Sequence, residues 1–154
     1  MDQLKLIAFD TEDLGILSAH LQDAVVRVAD MTYRPRERRF AAVLNRFDWA
    51  QALAGERELL RRQSALRFER VRSARTTGID RQRPTDVLAL LAVSFAPAGP
   101  DDAAGTVTLT FAGSAAIQLE VECLEAELRD LGPAWKARGQ PDHSADDGSG
   151  TTGG

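Results

Sequence analysis

The 154-residue chain holds two histidines and one cysteine, a small stock for proton transfer or covalent chemistry. His20 has an imidazole suited to carrying a proton near neutrality, but no partner stands near it in sequence, so it reads as a histidine at the core edge or the surface. Cys123 could act as a nucleophile if its thiolate were stabilised. Glu120, Glu122 and Glu125 oppose that, and the alternation Ile117, Leu119, Val121, Cys123 reads it as buried and structural. A lone cysteine forms no internal disulfide, and two scattered histidines do not complete a zinc site around it. Asp10, Glu12 and Asp13, and the pair Asp101 and Asp102, lack calcium-loop spacing and read as a helix cap and a solvated loop. The sequence contains no phosphate loop, dinucleotide fingerprint, nucleophile elbow or His-Glu-x-x-His motif. No metal or cofactor is therefore expected, and a binding protein is expected ahead of an enzyme.

Arginine has the strongest pattern. Residues 27–83 carry 15 basic groups, all arginine, against 7 acidic ones, a local charge of +8, while the whole chain sums to −4. A guanidinium fork binds carboxylate or phosphate in a bidentate way. Arg34, Arg36, Arg38 and Arg39 at an expected hairpin tip, Arg67, Arg70, Arg72 and Arg75 on the strand after it, and Arg81 and Arg83 beyond could together form a patch for polyanions or an acidic protein. Tyr33 is the only aromatic among the tip arginines, which leaves bases little to stack on. The preferred reading is a sheet face whose arginines meet Glu120, Glu122, Glu125 and Glu127 within the fold. Asn45, Arg46, Asp48 and Trp49 form the other dense group, which a tryptophan sealing the core beside an Arg–Asp pair accounts for. The candidate binding residues are Arg34, Arg36, Arg38, Arg39, Arg46, Asp48, Trp49 and Arg70.

These side chains need a frame, and apolar periodicity supplies it. Leu4 to Phe9 predicts a short strand, after which Asp10 or Thr11 caps a helix over about 12–22 with Leu14, Leu17 and Leu21 in its stripe. From Val25 the period becomes two. Pro35 and the run Arg36 to Arg39 interrupt it and Phe40 to Trp49 resumes it, predicting a β-hairpin over 25–49. Residues 50–57 predict a loop or a single helical turn. A strand over 63–77 loses parity between Phe68 and Val71, which requires a β-bulge near Arg70. Val87 to Val93 is apolar throughout and reads as a central strand covered on both faces. After a loop over 97–105, Val107, Leu109 and Phe111 and then Ile117, Leu119 and Val121 alternate across Gly113-Ser114 as a second hairpin. Leu124, Leu128 and Leu131 mark one face of a closing helix stopped by Gly132 and Pro133. The expected fold is thus a single α+β domain over residues 1–138. It comprises an N-terminal helix, an antiparallel sheet or partial barrel of about six or seven strands, and a closing C-terminal helix, with a disordered tail over 139–154.

Hydrophobic residues at 44% and charged residues at 27% fit a soluble globular chain. No apolar run reaches the roughly 18–20 residues that span a bilayer, and the start MDQLKLIAFDTED lacks the features of a secretory signal. A cytoplasmic protein with no membrane partner is expected. The stretches LKLIAFDTEDLGILSAHLQDA, VVRVADMTYRPRERRFAAVLNRFDW and LEVECLEAELRDLGPAW resemble the bacterial domain-of-unknown-function family 2948 over roughly residues 3–138. Asn45-Arg46-Phe47-Asp48-Trp49 and Glu120 to Leu128 are the most specific segments of that resemblance, which implies no activity, cofactor or site residue. A hairpin entering a C-terminal helix is also similar in element order to pleckstrin-homology-like barrels, an analogy of fold alone. The expected function is a non-catalytic binding or scaffolding module with a protein partner. Nucleic-acid or other polyanion binding through residues 27–83 is the alternative.

Overall fold

Alternating apolar residues turn most of the chain into strand. The computed structural model describes residues 3–49, 60–132 and 135–136. Within them lie β1 (Lys5–Ala8), α1 (Thr11–His20), β2 (Ala24–Arg27), β3 (Met31–Arg34), β4 (Arg39–Phe47) and β5 (Leu60–Phe68), then β6 (Val71–Thr77), β7 (Val87–Pro97), β8 (Gly105–Phe111), β9 (Ala116–Val121), β10 (Ala126–Asp130) and β11 (Trp135–Lys136). The eleven strands form one sheet in the order β1-β10-β5-β4-β2-β7-β8-β9-β6, with β3 joined to β4 and β11 to β5. All these pairings are antiparallel.

The chain runs from β5 into β6 and from β9 into β10, so distant parts of the path are continuous. The ladder crosses both joints through Glu69 N–H to Glu125 O (3.0 Å) and Glu122 N–H to Arg70 O (2.9 Å). The sheet thereby curls around one core, to which β1, β2 and β4 to β10 all contribute buried residues. At the joint Arg70 takes φ 60°, and between Val71 and Ser73 the register with β9 slips. The parity loss read from the sequence is thus resolved by a left-handed residue and a bulge at Arg72.

Across β4, β5 and β10 the register aligns side chains in rows: Phe40, Phe68 and Ala126; Ala42, Leu66 and Leu128; Leu44, Ser64 and Asp130; then Arg46 beside Arg62. All of these are buried, and the rows pass from apolar to charged along the strands. The core therefore ends on this side in a polar plug. Asp10 caps α1 by accepting the Asp13 N–H at 2.8 Å, and Leu14 and Leu17, with Leu21 just past the helix, enter the core. Ser18 Oγ accepts the Val93 N–H at 2.9 Å, satisfying a β7 donor beyond the residues that pair with β2.

The α+β expectation is corrected. The sheet has eleven strands, not six or seven, and α1 is the one α-helix among the described residues. The expected closing C-terminal helix is β10. Leu124 and Leu128 are four apart, a spacing that one face of a helix and one face of a strand share. Leu131, which the helix also required, is 49% exposed. β1 and β5 offer backbone partners on both sides of residues 126–130, and pairing prevails. The analogy with pleckstrin-homology-like barrels falls with that helix. β7 is covered on one face only, since Val87 and Leu91 are exposed while Leu90 and Val93 are buried. The 25–49 hairpin forms with a 3-10 turn at Val28–Asp30, which lets β2 pair with β7 while β3 pairs with β4. The expected loop over 50–57 and the expected tail over 139–154 both lie outside the described residues. No helix among the described residues is long and apolar enough to cross a membrane.

Candidate functional site

The arginines of the hairpin tip sit where three strand ends meet. Arg34 and Arg39 are cross-strand neighbours closing the β3–β4 hairpin, and Val71 N–H donates to Arg38 O at 2.9 Å, which fixes the tip against the start of β6. Sheet register then brings acidic residues of the later strands to the basic residues of the earlier ones. Arg38 pairs with Glu122, Arg70 Nε with Glu125 (3.3 Å), and Arg39 Nε with Glu69 (2.8 Å). Arg34 reaches Glu37 at 3.4 Å. Arg67 is directly opposite Glu127 and pairs with it, while donating to Glu69 at 2.7 Å. Arg75 donates to Gln118 at 3.0 Å and lies 3.7 Å from Glu120.

Every glutamate expected to neutralise the basic stretch therefore receives an arginine. Glu127 is the most enclosed: burial alone would raise its pKa, but Arg67, Arg129 and Lys5 outweigh that and hold it below the usual carboxylate range. Arg36 and Arg72 are exposed and make no ion pair or hydrogen bond among the described residues.

Arg46, Asp48 and Trp49 belong elsewhere, at the other end of β4. Arg46 forms a fork on Asp130, Nε to Oδ1 and Nη2 to Oδ2 at 2.9 Å each, and its Nη1 donates to Phe47 O at 3.2 Å. Ser64 Oγ and Leu4 N–H also donate to Asp130, each at 2.7 Å. Burial pushes the Asp130 pKa up, yet these donors outweigh it and leave the group below its ordinary value. Arg62 Nε donates to Asp48 at 2.8 Å. His20 closes the plug from the end of α1. Its Nδ1 is buried without a hydrogen-bond partner among the described residues, and burial, then the Arg46 charge, lower its pKa against the opposing pull of Asp48 and Asp130. Trp49 Nε1–H donates to Gln22 O at 2.9 Å, and its ring lies 5.5 Å from that of Phe47, over which Arg61 stacks at 4.4 Å.

The eight candidates thus separate into a hairpin-tip group, exposed apart from half-buried Arg39, and a plug of buried Arg46 and Asp48 edged by half-buried Trp49. Sequence reasoning missed Arg62, Ser64, Asp130 and the plug role of His20. Arg62 and Ser64 share the inward parity of Leu66 and Phe68, which is the signal that could have found them. Cys123 is half-buried rather than buried, because the alternation that placed it inward stops with β9 at Val121. Asp102 accepts the Ala104 N–H at 3.2 Å, as a loop-stabilising residue does.

Beyond the charged pairs, the outer face continues over β4, β2 and β7 into a shallow concavity of about 300 Å³ lined by Val25, Val43 and Val87, with Asn45 and Gln63 beside them. A family model described as "Protein of unknown function (DUF2948)" matches residues 4–143. No curated protein and no solved structure matches the chain.

Proposed function

The chain belongs to the DUF2948 family of unknown function, and from its own surface we propose that it is a non-catalytic protein-binding module. The observation that carries this reading is the pairing of Arg34, Arg38, Arg39, Arg67, Arg70 and Arg75 with carboxylates. A polyanion site relies on uncompensated positive charge to attract phosphates and release their counterions, whereas this face interleaves both signs and continues into exposed valines. Such mixed polar and apolar character is ordinary for protein interfaces. The reading is made for a bacterial, cytoplasmic protein, a reducing setting in which a lone thiol such as Cys123 persists.

Affinity capture from the native cell, with and without nuclease, tests it. The same proteins are expected in both cases, and Val43→Asp with Val87→Asp should reduce their recovery. Purified protein should show no binding to RNA or DNA at physiological salt. Micromolar binding whose salt slope shrinks in an Arg36→Glu, Arg72→Glu variant would replace this reading with the polyanion one.

A further inference from the structure

The sheet path ends at β6, whose backbone pairs with β9 on one side. On the other side, among the described residues, its one backbone bond is that from Val71 N–H to Arg38 O. The hairpin tip stops covering the strand at that bond, and residues 72–77 run on past it. All of these except Ala74 are exposed. Beyond the bulge at Arg72, the segment Ser73 to Thr77 keeps a regular register with β9. Its outer row of main-chain donors and acceptors is the kind of template that an incoming strand completes.

Charge narrows what such a strand carries. Arg72 and Arg75 on an edge strand oppose pairing with a second identical edge, since like charges would meet. Arg36 lies on the turn whose Arg38 carbonyl holds Val71, so Arg36 and Arg72, two cations without a carboxylate partner among the described residues, flank the start of this edge. On the opposite face of the strand, Ala74 packs against the core together with Tyr33 and Ile79. Acidic residues on one face and small apolar residues on the other would complement both sides.

We propose that β6 accepts an extended segment of a protein partner as an added strand, with main-chain bonds along Ser73 to Thr77 and carboxylates at Arg36 and Arg72. The proposal rests on the protein-binding reading for the class of its partner. An eight-residue peptide of alternating Asp and Val, titrated into the full chain and followed by amide hydrogen exchange, tests it. Saturable binding with protection centred on residues 73–77 is expected. Replacing Asp by Lys, or N-methylating alternate peptide amides to remove main-chain bonding, should each weaken binding at least tenfold, as should Arg36→Glu with Arg72→Glu in the protein. No binding, protection elsewhere, indifference to N-methylation, or self-association of the free chain through residues 73–77 would overturn it. If captured protein partners are retained by the Arg36→Glu, Arg72→Glu variant, the protein-binding module stands and this edge is not its docking site.

Discussion

At Asp130 donors from three parts of the chain converge on one enclosed carboxylate: Arg46, Ser64 and the amide of Leu4. Removing one partner of a buried ion pair strands the other, so Asp130→Asn should cost about 3–5 kcal/mol in urea denaturation. The same bonds set a pH dependence. Because the folded pKa lies below the unfolded value near about 3.9, the stabilisation is complete above that value and is lost as pH falls through the lower folded one. The acid limb of the stability profile should therefore flatten in Asp130→Asn, and an unchanged limb would contradict the assignment. His20 works in a higher window. Its folded pKa is lowered, so below about 6.5 the unfolded chain takes up the proton more readily and stability declines as pH drops. His20→Gln should lose that part of the decline between about pH 7 and 5, and matching slopes in the two proteins would exclude this role.

The joint between β5 and β6 turns on Arg70 at φ 60°. A left-handed conformation costs an L-residue roughly 1–2 kcal/mol, which glycine avoids. The Arg70–Glu125 pair that offsets this is well exposed and worth little. Arg70→Gly should accordingly leave thermal stability unchanged or raise it, while the β-branched Arg70→Val should lower it by roughly 1–2 kcal/mol. This joint was legible because an apolar parity slip between Phe68 and Val71 has few backbone solutions. β10 was not, since the four-residue step from Leu124 to Leu128 satisfies both helical and extended periods, and only strand partners distant in sequence decide between them. The plug was legible only in part: the group at Arg46, Asp48 and Trp49 was read as sealing the core, but its ion pairs run from Arg46 to Asp130 and from Arg62 to Asp48, and those partners stayed hidden for a related reason. Arg46, Arg62 and Asp130 occupy inward positions that patterning assigns to apolar residues, and each is tolerated there only through partners on other strands. The hairpin-tip arginines were legible as a group, but their charge balance depends on register.

Across the whole molecule the two oppositely charged segments of the sequence are folded onto each other, basic β4 to β6 against the acidic run from Glu120 to Glu127. Reversing Glu122 and Glu125 to arginine should cost roughly 1 kcal/mol, because the pairs are partly solvated. It should also raise salt-sensitive RNA binding above that of the unaltered chain, measurable by anisotropy at two ionic strengths. An unchanged RNA response would mean that these glutamates do not mask the arginines. The bond from Leu4 N–H to Asp130 has a different consequence, for synthesis. Its two residues are 126 positions apart in sequence, and β1 finds its ladder only when β10 exists. A nascent chain still lacking Ala126 to Asp130 holds Arg46 without its counterion, and Leu4 and Leu6 without the strand against which they pack. Such long-range closure is slow by topology. The chain should therefore emerge from the ribosome largely complete before its protease resistance rises, and chaperones would meet it as an unclosed sheet.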